Sequence, residues 1–172
     1  MPAPIIRIED LPPLLPMRGG VFGLDLGTKT IGIAGSDDDR RLATPVDTIR
    51  RVKFGVDAQK LLEIAASRRI CALVLGLPVN MDGSEGPRAQ ATRAFARNLA
   101  NLTSLPIALW DERLSTTAVE RMLIEQDVSR ARRAVVIDQH AAAFILQGAL
   151  DRLRSIRESS ETGNRFPVQY PG

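Results

Sequence analysis

The chain has 172 residues, 44% of them hydrophobic and 25% charged, which is typical of one globular domain with its own core. The single cysteine, Cys71, excludes an intramolecular disulfide framework and favours a reducing compartment. No apolar run reaches the ~18 residues of a membrane span. We therefore expect a cytoplasmic protein without a membrane partner. The formal net charge is +3, and only Lys29, Lys53 and Lys60 among 23 basic residues are lysines; arginine suits phosphate, but a GC-rich genome also favours arginine.

The two ends of the chain are predicted to be flexible. Residues 1–19 contain five prolines and are followed by Gly20, which indicates a loosely ordered, Pro-rich N-terminal tail. Residues 155–172 are polar and predict a flexible C-terminal tail. A single domain is therefore expected over residues 20–154.

Between these ends, the hydrophobic pattern predicts alternating strands and helices. Strands are predicted over 21–26, 30–36, 41–51, 71–78 and 106–112, and helices over 55–69, 87–102, 115–127 and 134–154. Pro45 pushes the third strand toward a sheet edge or a bulge. This order predicts an α/β fold with a mixed five-stranded sheet flanked by helices, and a site beyond the carboxyl ends of the central strands.

Acidic residues lie where such a site is expected. Asp25 lies near the end of the first strand, Asp111 and Glu112 lie at the end of the fifth, and Asp138 lies early in the last helix. Each position also has a purely structural interpretation: a turn residue for Asp25, an ion pair for Asp111 and Glu112, and a helix cap for Asp138. Together, however, these carboxylates would repel one another unless a cation offset their charge. Because side chains alternate along a strand, Asp111 and Glu112 point to opposite faces, and the sequence leaves open which of them faces the site.

Oxygen ligands without histidine or cysteine suit Mg²⁺ or Mn²⁺. Two such ions about 4 Å apart can activate water and stabilise the leaving 3′-oxygen in phosphodiester hydrolysis. Basic side chains that could contact the nucleic-acid backbone are Lys29, Arg113, Arg130, Arg132 and Arg133, although charge runs are commonly just solvated. The segment "GLPVNMDGSEGP" is either an ordinary flexible connection or a loop near the scissile phosphate.

Four segments, "LDLGTKTIGIAGSD", "VLGLPVNMDGSEG", "LWDERLSTTAVERML" and "VIDQHAAAFILQGALD", resemble the YqgF family, also called RuvX, over roughly residues 20 to 153. The resemblance implies a ribonuclease H-like fold related to the RuvC resolvases. It also implies that Asp25, Asp111, Glu112 and Asp138 are catalytic, with Asp25, Glu112 and Asp138 holding the metal.

The expected function is a metal-dependent endonuclease in 5′-end maturation of pre-16S rRNA, and hence in ribosome biogenesis. One alternative is a Holliday junction resolvase acting on four-way DNA, and another is a non-catalytic RNA-binding ribosome-assembly factor. "DLGTKT" also resembles the first phosphate loop of actin-like ATPases, but 172 residues are too few for that two-domain fold. The expected partner is pre-rRNA, either free or on the ribosome, or branched DNA, bound by a monomer or homodimer.

Overall fold

The structure, a computed structural model, describes residues 2–115 and 130–163, with side chains in the second range described from His140 to Thr162. Six strands form one sheet in the order β1-β6-β5-β2-β3-β4. The strands are β1 (Ile5–Arg7), β2 (Gly20–Leu26), β3 (Thr30–Ser36), β4 (Ala43–Arg50), β5 (Ile70–Leu77) and β6 (Ile107–Asp111). The helices are α1 (Phe54–Ser67), α2 (Pro87–Ala100) and α3 (Arg130–Gly163).

The sheet is mixed, as predicted. Strand β3 pairs antiparallel with both β2 and β4, whereas β5 runs parallel to β2 and β6. The carboxyl ends of β2, β4, β5 and β6 therefore lie along the same border of the sheet, which we call its carboxyl edge. No described helix is long and apolar enough to span a bilayer. The predicted helix over 115–127 lies outside the described residues beyond Ser115.

The sixth strand comes from the segment that was predicted to be a flexible tail, and that prediction is wrong. Strand β1 pairs parallel with β6, and Ile8 and Leu11 are only 3% and 0% exposed. The prolines misled the interpretation because Pro12 begins a short 3-10 turn, Pro12–Leu14, rather than loose coil. The N-terminal segment is thus part of the packed domain.

The C-terminal prediction also needs correction. Helix α3 continues to Gly163, so residues 155–163 are helical rather than a flexible tail. Their polar composition reflects exposure to solvent, since a helix that extends past the core needs no apolar face. Residues 164–172 lie outside the described part of the chain.

Both expectations for Pro45 are confirmed. Strand β4 lies at the sheet edge, and Ala34 pairs with Pro45 while the preceding Ile33 pairs with Asp47, which leaves Val46 as an extra residue. Proline lacks the amide hydrogen that a central strand position would use, so an edge bulge accommodates it.

Alternation along the strands separates two faces. Phe22, Leu24 and Leu26 of β2 pack in the core beneath α1 and α2. Val21 packs in the core beneath α3, and by the two-residue period of a strand Asp25 lies on that same face. The α3 face therefore carries the acidic residue of β2 at the edge where the parallel strands end.

Candidate active site

Asp25 lies half-buried beside an open cleft between α3 and the strands β3 and β4. Small residues leave room for this cleft. Gly32 has no side chain, and a Cβ added there would lie 3.5 Å from Ala142 Cβ and 3.6 Å from Asp25 Cβ. The cleft has a volume of about 340 Å³ and is lined by Asp25, Thr30, Gly32, Ile33, Pro45, Val46, Asp47, Thr48, Ala142 and Ala143. Asp25 is thus accessible at the carboxyl edge of the sheet, as predicted.

Glu112 lies on the same face as Asp25. Trp110 belongs to the core beneath α3, and Glu112 is the next residue with that orientation. Its amide donates to the Leu77 carbonyl at 3.1 Å, which fixes its backbone against the end of β5. Its carboxylate lies over Gly76, since a Cβ added there would lie 2.7 Å from Glu112 Oε1.

The electrostatics of Glu112 report its proximity to Asp25. Burial raises the pKa of Glu112 to about 7, and the charge of Asp25 adds to this effect, while Arg88 acts in the opposite direction. Arg88 lies in the first turn of α2 and was missed from sequence, where no signal distinguishes it from the other arginines of that helix. Desolvation and the Asp25 charge therefore favour the protonated form of Glu112 in the metal-free protein.

Asp111 lies on the opposite face and is engaged elsewhere. Arg113 donates to both of its carboxylate oxygens, with Nη2 at 2.6 Å from Oδ2 and Nε at 3.1 Å from Oδ1. These bonds hold the pKa of Asp111 below its ordinary value. The same guanidinium lies 3.4 Å from the carbonyl oxygens of Asn80 and Met81. Asp111 and Arg113 are thus brought together as an ion pair that supports a loop.

That loop, which joins β5 to α2, is internally ordered. The Asn80 amide donates to the Ser84 carbonyl at 2.9 Å, and the Gly83 amide donates to the Asn80 carbonyl at 2.9 Å. Gly83 has a φ of +88°, which glycine adopts without strain. The tip exposes Met81 and Asp82 beside the carboxyl edge of the sheet.

Lys29 lies exposed in the turn between β2 and β3. Arg51 braces this turn twice, because its amide donates to the Lys29 carbonyl at 2.9 Å and its Nη1 donates to the Gly27 carbonyl at 2.7 Å. No sequence pattern separates Arg51 from its neighbour Arg50. The bracing fixes the segment that follows Asp25 directly.

The remaining predicted site residues lie in the first turns of α3. The backbones of Asp138, Arg130, Arg132 and Arg133 are helical, but their side chains lie outside the described residues. Among the described side chains, no group of three histidine, cysteine or acidic residues forms a metal site. Asp25 and Glu112 supply two oxygen donors, and Asp138 precedes the cleft-lining Ala142 by one helical turn.

The donor set nevertheless fits a hard divalent cation. Asp25 and Glu112 offer only oxygen atoms, and the pKa of Glu112 is raised to about 7 partly because of Asp25. A cation between carboxylates reverses that effect by favouring their charged forms. Cys71, the single cysteine of the chain, is engaged away from these carboxylates, since its thiol donates to the Gly20 carbonyl at 3.1 Å.

Comparison with known proteins finds a matching family model and similar chains. Residues 19–152 match the sequence profile of RuvX, described as a Holliday junction resolvase. A Bradyrhizobium sp. (strain BTAi1) protein is 68% identical over 94% of this chain and 100% of its own length. A Nitrobacter winogradskyi protein is 65% identical over 95% of this chain and 100% of its own length. Both relatives are named for a proposed pre-16S rRNA nuclease activity.

A solved structure shows a similar fold. The yeast mitochondrial Holliday junction resolvase Ydc2 superposes with a TM-score of 0.53 at 11% identity, covering 93% of this chain and 88% of that one. At this identity the likeness concerns the fold alone, and it agrees with the ribonuclease H-like architecture predicted from sequence.

Proposed function

Because this chain belongs to the RuvX family, we propose that it is a metal-dependent endonuclease that hydrolyses phosphodiester bonds. The observation that carries this proposal is the meeting of Asp25 and Glu112 on one face of the sheet. The two carboxylates lie at the carboxyl edge, beside a cleft of about 340 Å³. A buried carboxyl whose pKa is raised by desolvation and by a neighbouring charge, as for Glu112, is a common feature of catalytic sites.

The residues divide into two roles. Asp25 and Glu112, together with Asp138, would hold the cation, and Mg²⁺ or Mn²⁺ suits an all-oxygen set. When bound, such an ion activates water and stabilises the leaving oxygen of a phosphodiester. Arg88, whose charge acts on Glu112, and Lys29, exposed in the turn that follows β2, would bind phosphate oxygens.

Asp111 and Arg113 are proposed to act indirectly. Arg113 Nη2 lies 2.6 Å from Asp111 Oδ2, so its charge is already compensated, and its remaining contacts support the loop at Asn80 and Met81. This ion pair would keep the loop at the sheet edge while Glu112, the next residue along the chain from Asp111, serves the site.

We propose pre-16S rRNA as the substrate, since relatives are named for a nuclease of that RNA. The family resemblance of the sequence further points to cleavage at the 5′ end. Four-way DNA junctions are the second candidate because of the description of the family. Phosphates look alike in both, and the 2′-hydroxyl and the shape of the substrate would distinguish them.

The test compares cleavage of an RNA spanning the 5′ end of 16S rRNA with cleavage of a four-way DNA junction, each in Mg²⁺, Mn²⁺ or EDTA. We expect metal-dependent cleavage of the RNA, abolished in Asp25→Asn and in Glu112→Gln. Asp111→Asn is the matched control, adjacent in sequence but on the other face, and should retain most activity.

Three results would contradict parts of this proposal. Wild-type rates in Asp25→Asn would remove the assigned site. Preference for the DNA junction would favour the resolvase. Tight RNA binding without cleavage in any metal would identify a non-catalytic assembly factor.

A further inference from the structure

We propose that Gly76 is a positioning residue: the missing side chain on the middle strand gives Glu112 its passage across β5 toward Asp25. The inference rests on the proposed metal site and goes beyond it, because it explains how residues from two non-adjacent strands reach one another.

The sheet order makes such a passage necessary. Strand β5 lies between β2, which carries Asp25, and β6, which Glu112 follows. Neighbouring strands are about 4.8 Å apart, so β2 and β6 are separated by about 10 Å. Leu24 pairs with Leu75, and the next residues along these parallel strands are Asp25 and Gly76. Any side chain at residue 76 on this face would stand between the two carboxylates.

The space above Gly76 is filled from two sides. An added Cβ would lie 2.6 Å from Ile145 Cδ1, 2.7 Å from Glu112 Oε1 and 3.0 Å from Glu112 Cγ. Distances of this size are well inside normal contact between carbon and oxygen or carbon and carbon atoms. Even the smallest side chain therefore forces Ile145 or Glu112, or both, to move.

The backbone of Glu112 is held in place, so its side chain has to yield. The Glu112 amide donates to the Leu77 carbonyl at 3.1 Å, and the Ser115 amide donates to the Glu112 carbonyl at 3.0 Å. Ser115 is anchored in turn, because its Oγ accepts a buried hydrogen bond of 2.8 Å from Trp110 Nε1. A methyl group at residue 76 would displace the carboxylate from Asp25.

The experiment is a double-mutant cycle in the Ile145→Val background, which removes the Cδ1 atom and leaves Glu112 as the main obstacle. Mn²⁺ affinity is measured by electron paramagnetic resonance for this background and for Gly76→Ala, Glu112→Ala and their combination. We expect Gly76→Ala to weaken Mn²⁺ binding by roughly 10-fold or more, the scale seen when the support of a metal ligand is lost. In the Glu112→Ala protein, Gly76→Ala should cause no further loss.

Kinetics give a second readout. Gly76→Ala should lower kcat by a factor similar to the loss of Mn²⁺ affinity at subsaturating metal, whereas KM for the nucleic acid should hardly change, because the cleft itself is intact. Gly35→Ala is the matched control. Its Cβ would meet Val46 Cγ2 at 3.1 Å and Phe22 Cε1 at 3.3 Å, on the other face of the sheet, and Mn²⁺ affinity should stay unchanged.

The outcomes separate this inference from the proposed function. Unchanged Mn²⁺ affinity in Gly76→Ala, or a further loss in the Glu112→Ala protein, would overturn the role of Gly76 alone. If Glu112→Ala binds Mn²⁺ as tightly as its background, the metal site itself is wrong and both proposals fall. Thermal melts of all four proteins ensure that only folded variants are compared.

Discussion

The two faces of the sheet are built from the same strands but differ in what fills the space above them. Beneath α1 and α2, β2 contributes Phe22 and Leu24, both fully buried. Beneath α3, the alternate positions of the same strand are Gly23 and Asp25. A Cβ at Gly23 would lie 2.5 Å from Leu146 Cβ, so the helix packs directly on the backbone. The first face is filled by large side chains, and the second keeps room for carboxylates.

The same contrast separates two consecutive residues. Asp111 and Glu112 differ in the direction of their pKa shifts because Asp111 has Arg113 as its partner, whereas Glu112 is buried near Asp25. The two residues are adjacent in sequence and both carry a carboxylate. The face of the sheet determines whether a carboxylate is compensated by a fixed cation or left to attract one.

The largest expected effect tests how the N-terminal segment contributes to the α3 face. Leu11 is fully buried in the core beneath α3, so Leu11→Ala should cost about 2–5 kcal/mol in the free energy of unfolding. Leu14→Ala is the control, since Leu14 is 49% exposed and lies in the same segment. Urea unfolding measures both. Equal, small losses would show that the segment behaves as a flexible tail after all.

The next effect compares glycines on the two faces. Gly23→Ala places a methyl group 2.5 Å from Leu146 Cβ and 2.9 Å from the Ala142 carbonyl oxygen, and a backbone atom cannot move as a side chain can. We expect a loss of about 1–3 kcal/mol or more. Gly35→Ala meets only the ends of side chains and should cost clearly less in the same unfolding assay. A reversed order would show that α3 packs less closely than described.

Much of this fold could be predicted from sequence because periodicity reports which side of an element is buried. The strands of residues 20–112 and their order along the chain followed from apolar runs and turn residues, and the edge position of β4 followed from Pro45. Strand β1 was missed because three residues between prolines carry no measurable period. Its pairing with β6 depends on a contact across about a hundred residues of sequence.

The candidate site was only half predictable. Alternation showed that either Asp111 or Glu112 would face Asp25, but the choice requires the register of β6 against β5. The importance of Gly76 was invisible, since a glycine in a buried strand looks the same whether a helix or a carboxylate occupies the space above it. Arg51 was likewise indistinguishable from Arg50 until the Gly27 carbonyl was found 2.7 Å from its Nη1.

A smaller effect, on pH dependence, should have opposite signs for the two neighbouring carboxylates. Burial and Asp25 raise the pKa of Glu112 to about 7 from its ordinary value of 4.5. The folded chain therefore binds a proton more tightly, and this contribution to stability is complete below pH 4.5 and is lost as the pH rises through about 7. In EDTA, Glu112→Gln should gain stability over wild type at pH 8 and lose that advantage by pH 5.

Asp111→Asn should behave in the opposite sense. Arg113 holds the pKa of Asp111 below its ordinary value of 3.8, so its contribution is present above that pH and is lost as the pH falls through the lowered pKa. The variant should be less stable than wild type at neutral pH and equal to it in strong acid. Parallel pH profiles for the two variants would contradict the assignment of Asp111 and Glu112 to different faces.

The smallest effect concerns two basic residues that the sequence treated alike. Lys29 is exposed in the turn after β2, whereas Arg113 is paired with Asp111 through a contact of 2.6 Å. A cation that contacts phosphate releases counterions, and each such contact on a single strand adds about 0.7 to the slope of log affinity against log salt. In the inactive Asp25→Asn background, Lys29→Ala should lower the slope for RNA by about that amount. Arg113→Ala should leave it unchanged, because its charge is already matched by Asp111. Fluorescence anisotropy between about 50 and 200 mM salt covers the useful range. An equal drop in both variants would show that Arg113 leaves Asp111 to bind the nucleic acid, and that its ion pair is a resting arrangement of the free protein.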